Sequence, residues 1–139
     1  MIDFETYIQA DKFASLNGIT FVEAGEDSAT CSMRLSKDQV NSYNIAHGGA
    51  IFTLADTVFS IAANSSGFVT LAINVNISFI QGVTVGTLLT ATATLISKNK
   101  RIAVFEIPVV REDGVVVANF IGTAYVKKVR VDENIGELA

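Results

Sequence analysis

Asp56 is the residue whose setting most needs a chemical explanation. It ends Ala46-His47-Gly48-Gly49-Ala50-Ile51-Phe52-Thr53-Leu54-Ala55-Asp56, an almost uninterrupted apolar stretch holding the chain's only histidine and two adjacent glycines. Apolar surroundings raise the cost of ionising a carboxyl group, and such a cost is usually tolerated where the group is paired or does chemistry. Just ahead of it, His47-Gly48-Gly49 could open a helix. The first N–H groups of a helix lack intrahelical acceptors and lie at the positive end of its dipole. Glycines there let another atom approach unhindered, which suits an oxyanion hole. Chain reversal or close packing would account for the same glycines, and an exposed position on a polar helix face would account for Asp56. Ser60, one turn further on, could hydrogen-bond Asp56 or a bound water, or be an ordinary helical serine.

Spacing constrains any joint use of these groups. Asp56 lies eight residues beyond Gly48, about 12 Å along a helix axis. An oxyanion donor and an attacking group must each come within about 3 Å of the reacting centre. A site using both would therefore take Gly48 from one subunit and Asp56 from another, and function would require an oligomer.

The elements that must position these residues follow from periodicity. A helix is expected from Gly48 to about Asn64, with Ile51, Phe52, Leu54, Ala55, Val58, Phe59, Ile61 and Ala62 buried around most of its circumference. Gly49, Thr53, Asp56, Thr57, Ser60 and Asn64 fall in one stripe roughly 100° wide, and Ser65-Ser66-Gly67 should stop the helix. Before it, residues 3–16 suit a short helix, Asn17-Gly18 a turn, and Ile19 to Val22 an extended segment. Strict alternation from Ser28 to Leu35 predicts a half-buried strand with Ala29, Cys31, Met33 and Leu35 inward. After the helix come strands over 69–80, 87–97, 101–111 and 115–128, separated by turns at Gly82–Gly86, Ser97–Lys100 and Glu112–Gly114. Pro108 cannot donate to a ladder and suggests a sheet edge or a bulge. The expected fold class is α+β, one long central helix wrapped by a curved antiparallel sheet. At 139 residues, 1–139 is expected to be a single domain, with 132–139 a frayed acidic tail.

Composition excludes several function classes. One histidine and the one cysteine, Cys31, give no metal-ligand cluster and no intrachain disulfide, so neither a metal nor another cofactor is expected. Cys31 reads as a small buried hydrophobe rather than a reactive thiol. A net charge of −4 argues against a general nucleic-acid binder. The helix is too short and too interrupted by Asp56 and its polar neighbours for a membrane span. Met1 to Glu5 shows no basic region followed by an apolar run, so the expected location is the cytoplasm.

One stretch carries a specific likeness. Asn41-Ser42-Tyr43-Asn44-Ile45-Ala46-His47-Gly48-Gly49 running on to Asp56 and Asn64 resembles the motif of hotdog-fold acyl-CoA thioesterases of the phenylacetate-degradation (PaaI-like) type. Gly86-Thr87-Leu88-Leu89-Thr90-Ala91-Thr92-Ala93, Arg101 to Glu106, and Asp113-Gly114 through Gly122-Thr123-Ala124-Tyr125 are similar to later parts of that family. The resemblance implies dimers joined sheet edge to sheet edge, commonly dimers of dimers, and a site shared between subunits. By position, Asp56 resembles the family's catalytic carboxylate, acting as nucleophile or as general base on water. Gly48 resembles the residue whose N–H polarises the thioester carbonyl, Asn41 the amide that helps position substrate or water, and His47 a motif residue that shapes the turn. Some relatives carry a hydroxyl near Ala72, which this chain lacks; Thr70, Asn74 or Ser60 could substitute. An acyl-CoA would then meet Gly49, Ser60, Phe52 and Phe59, with Lys98 and Arg101 among the basic residues able to meet its phosphates. A non-catalytic acyl-thioester binding module is the alternative. A dehydratase is disfavoured because the sole histidine sits beside the glycines instead of pairing with an acid.

Overall fold

The computed structural model describes residues 3–131; the acidic tail expected at 132–139 lies outside the described residues. Two short helices, α1 (Phe4–Gln9) and α2 (Lys12–Leu16), occupy the segment expected to hold one. The break falls at Asp11, whose carboxylate accepts the Ala14 N–H at 3.0 Å and starts a new helix, as Asp3 does for α1. β1 (Thr20–Gly25) and β2 (Ser28–Arg34) form a hairpin. A 3₁₀ turn at Lys37–Gln39 follows, then α3 (Gly48–Asn64), β3 (Phe68–Phe79), β4 (Leu88–Lys98), β5 (Ile102–Arg111) and β6 (Val116–Arg130).

The strands make one antiparallel sheet in the order β1-β2-β4-β5-β6-β3, and α3 packs against β2, β3, β4, β5 and β6. This is the single helix against a curved sheet that the element order implies. The helix seats closely because small residues face the sheet: Ala55 and Ala62 are fully buried between Leu54, Val58 and Ile61. Gly67, at φ 92°, ends it by turning its N–H back to the Asn64 carbonyl at 3.1 Å. Phe52 is half-buried rather than buried, its ring resting 5.5 Å from that of Phe120. Ala29, Cys31, Met33 and Leu35 face the core as their alternation requires. Burial pushes the Cys31 thiol up to about 12, which keeps it protonated at neutral pH.

Two strands depart from simple alternation. Pro108 is not on a sheet edge, since β5 lies between β4 and β6. Its missing N–H is accommodated by irregular pairing: β4–β5 partners run from Leu89↔Arg111 to Ala91↔Val109 and resume at Thr94↔Glu106, and the β5–β6 register shifts between Val109 and Val110. In β3 the register shifts between Ala72 and Asn74, which reverses the phase of the side chains. Val75 and Ile77 pack on the core beyond the shift, whereas before it Thr70 is buried and Leu71 is 42% exposed. Asn64 holds the start of β3 to the helix. Its Oδ1 accepts the Thr70 N–H at 2.8 Å, and its Nδ2 donates to the Ser60 and Thr70 carbonyls at 2.8 and 3.3 Å.

Gly122 of β6 lets α3 come this close. A Cβ there would stand 2.8 Å from two ring carbons of Phe59 and 3.0 Å from Phe120, both buried aromatics with no room to retreat. Gly122→Ala should destabilise the fold by about 1–3 kcal/mol, the usual cost of overpacking. Denaturant titration of the variant against wild type checks this, and an unchanged midpoint would refute it.

Candidate active site

The N-terminus of α3 is built by a hairpin-like loop. His47 N–H donates to the Gln39 carbonyl at 2.8 Å, Val40 bridges Ala46, and Asn41 N–H donates to Ile45 O at 2.8 Å. Asn41 also folds the turn with its side chain, whose Oδ1 accepts the Tyr43 N–H at 2.9 Å. Its Nδ2 group has no acceptor among the described residues. His47 is the N-cap: its Nδ1 accepts the Gly49 N–H at 2.9 Å, which places the ring's proton on Nε2. The two glycines therefore differ. The Gly49 N–H is held by the histidine, while the Gly48 N–H donates to nothing among the described residues. A side chain at 49 would come within 3.0 Å of His47 Nδ1, and one at 48 within 3.1 Å of the Phe79 ring lying over it.

Two turns further along, the polar stripe does not face solvent. Thr57 and Asn64 are buried, and Asp56 is half-buried beside β3. A cleft of about 160 Å³ opens there, lined by Asp56, Phe59, Ser60 and Ala63 of α3, by Thr70, Leu71 and Ala72 of β3, and by Ala124 of β6. Burial raises the Asp56 carboxyl above the ordinary carboxylate range, and the negative charge of Asp11 adds to the shift. Ala72, the position that lacks a hydroxyl, is part of this wall, and Thr70 and Ser60 place hydroxyls around it. Thr70 Oγ1 donates to Phe68 O at 3.0 Å, and Ser60 Oγ lies 2.8 Å from the Tyr7 hydroxyl. Asn74 does not line the cleft.

The structure thus brings together Asp56, Phe59 and Ser60 of the expected set. Within one chain, Gly48, Gly49, His47, Asn41 and Phe52 do not line that cleft. Lys98 and Arg101 sit at the β4–β5 hairpin. Lys98 pairs across the sheet with Ala103 and then with Ala124 of the cleft wall, two strand spacings or about 10 Å away. It is ion-paired to Asp27 at 3.1 Å, while Arg101 directs a guanidinium N–H to Lys100 O at 3.4 Å. Tyr7 and Asp11 are additions that spacing within the helix motif could not supply, since they come from a segment some fifty residues away in sequence. Ala63 is a third addition, and its place two turns after Asp56 on the same helix face could have signalled it.

The direction of the Asp56 shift has a consequence for stability. A carboxyl whose folded-state affinity for a proton exceeds its unfolded one stabilises the fold at low pH, and that contribution is lost as pH rises through the folded value. Asp56→Asn, which mimics the neutral acid, should therefore melt higher than wild type near pH 7. The difference should close as pH falls below about 4, where the unfolded carboxyl also protonates. Melting curves across pH test this; a wild type more stable than the variant at neutral pH would overturn it.

Comparison with known proteins places this geometry. The family model described as the thioesterase superfamily matches residues 43–118. Acyl-coenzyme A thioesterase PaaI of Escherichia coli is 33% identical over 115 residues, 83% of this chain and 82% of that one. A putative esterase of Archaeoglobus fulgidus is 33% identical over 124 residues, covering 89% and 78%. The solved structure of the E. coli PaaI protein from the phenylacetic acid degradation operon superimposes with a TM-score of 0.89 at 30% identity, over 92% of this chain and 93% of that one. Sequence match, sheet order and the central helix agree: this chain belongs to the thioesterase superfamily, as a hotdog-fold thioester hydrolase of the PaaI-like type.

Proposed function

We propose that the protein hydrolyses acyl-CoA thioesters, of aryl-acetyl or short to medium acyl groups, to the free acid and coenzyme A in the cytoplasm. The observation that carries this reading is Asp56, a carboxylate held in a small cleft whose walls are otherwise mostly apolar. Its raised proton affinity suits a group that must accept a proton or attack an electrophile. The relative named as an acyl-coenzyme A thioesterase supports the substrate class. Gly48 offers the thioester oxygen an N–H with no competing acceptor, and Asn41 offers the donors of its Nδ2. Asp56 then attacks the carbonyl carbon itself, forming a mixed anhydride that water afterwards hydrolyses to the free acid and the restored carboxylate, or takes the proton of a water that attacks directly. In either case the carbon–sulfur bond breaks to release the coenzyme A thiolate. Phe59 would contact the acyl group. Gly49, Phe52 and His47 hold the neighbouring helix turn in shape, and Arg101 and Lys98 reach the phosphates, Lys98 by exchanging its Asp27 partner.

A homo-oligomer completes this site. Gly48 and Asp56 sit about 12 Å apart on one helix, so a reacting carbonyl needs one from each of two copies. β3 supplies an edge for joining them. It is the outer strand beside β6, with Ile73 58% and Phe79 54% exposed, and an apolar edge of that length invites pairing with another strand. A dimer, or a dimer of dimers, follows.

Asp56→Asn should lower kcat at least about a hundredfold without changing the mass of the assembly. Free-thiol release from a panel of aryl-acetyl, short-chain and medium-chain acyl-CoAs measures it. Turnover near the wild-type rate would sink the mechanism, and tight binding by the wild type without turnover would favour a binding module. Light scattering paired with activity tests the shared site: activity should disappear as the oligomer dissociates on dilution, and an active monomer would refute it.

A further inference from the structure

The hydroxyl groups along the polar stripe of α3 are not used alike. Thr53 Oγ1 donates to the Gly49 carbonyl at 2.7 Å and Thr57 Oγ1 to the Thr53 carbonyl at 2.7 Å, so both commit their protons to the helix four residues back. Ser60, equally placed to do so, is bonded instead to the Tyr7 hydroxyl at 2.8 Å, a contact spanning 53 residues of sequence. Ser60 follows Asp56 by four residues, so the two side chains neighbour each other on one helix face, and both line the 160 Å³ cleft. A second hollow of about 200 Å³, walled by Tyr7, Ser60, Asn64, Val69, Thr70, Leu71 and Val131, shares Ser60, Thr70 and Leu71 with it.

We propose that Tyr7 is a positioning residue for thioester hydrolysis: by donating its phenol proton to Ser60 Oγ, it turns the Ser60 hydroxyl proton toward Asp56 and the water beside it. The phenol is the more acidic of the two hydroxyls and hence the better donor. Its burial keeps it protonated. A serine oxygen that accepts one bond still has a proton to give, and with Tyr7 supplying that bond the Ser60 proton is released from the helix backbone into the cleft. Ala72 has no hydroxyl to serve there. Tyr7 is itself fixed by α1, which Asp3 caps and which packs on the core. The amino-terminal helix is in this account part of the catalytic apparatus without touching substrate.

The inference rests on the hydrolase reading above, and a double-mutant cycle separates the two. Tyr7→Phe keeps the ring and removes only the hydroxyl. It should lower kcat about 5- to 10-fold, the equivalent of one neutral hydrogen bond, with KM unchanged. Ser60→Ala should cost at least as much. The double variant should be no slower than Ser60→Ala alone, because Tyr7 acts only through Ser60. Melting curves on each variant separate this from loss of fold: a merely structural tyrosine would lower the melting temperature and leave kcat of the folded enzyme at the wild-type value, and that result would overturn the proposal. An undiminished Tyr7→Phe effect in the Ser60→Ala background, or an effect on KM alone, would overturn it too. Wild-type protein that hydrolyses no acyl-CoA would overturn the parent reading, whereas an active wild type with a fully active Tyr7→Phe variant defeats only this one.

Discussion

Phe59 can lie against β6 only because residue 122 has no side chain, and much of the molecule depends on that seat. The ring fills the space a Cβ would occupy and reaches Phe105 and Phe120 at centroid distances of 5.9 and 5.6 Å. This draws the middle of α3 onto the sheet, with Ala55 and Ala62 permitting the approach on either side. Dispersion contacts of this kind are individually small, but they are lost steeply with separation. A helix held off by even a fraction of an ångström would loosen the whole interior. Asp56 and Ser60 flank Phe59 on the helix, so the same packing fixes the depth at which both stand relative to β3.

That depth has opposite effects on stability and on chemistry. Sinking Asp56 beside Leu71, Ala72 and Ala124 removes water from the carboxylate and disfavours its charged form. A fold selected for stability alone has no use for such a group. The charge of Asp11, brought near by α2, works in the same direction. Polar groups around the cleft are otherwise satisfied: no buried side-chain nitrogen or oxygen lacks a partner among the described residues. The strain of the site is concentrated in one group, the expected pattern where local rules give way to function.

β3 connects the cleft to the surface. The register shift between Ala72 and Asn74 divides it into two parts with different duties. The half beyond the shift supplies Val75 and Ile77 to the core. The half before it, held to the helix by Asn64, supplies Thr70 and Ala72 to the cleft while leaving Leu71 and Ile73 exposed along the outer strand. Phe79, at the other end of the same strand, covers Gly48. Both ends of α3 are thus set by one outer strand.

What the sequence determined by itself was whatever repeats over short distances. The helix from Gly48 to Asn64, its stop at Gly67, the inward face of β2, and the tight turns between β4, β5 and β6 all follow from local periodicity and turn chemistry. Asp56 stood out for the same reason, as one charge in an apolar run. The tertiary structure decided what depends on segments distant in the chain. Pro108 lies inside the sheet because β6 folds back beside β5, which spacing within one strand cannot reveal. The β3 bulge reverses an alternation that looks regular in the sequence, since register is set by the partner strand. Lys98 is paired with Asp27, and Ser60 with Tyr7, across 71 and 53 residues. The sorting of the two glycines, with Gly49 held by His47 and Gly48 left open, depends on the rotamer of one ring at a helix end. Periodicity records which face of an element is apolar; only packing fixes what that face meets.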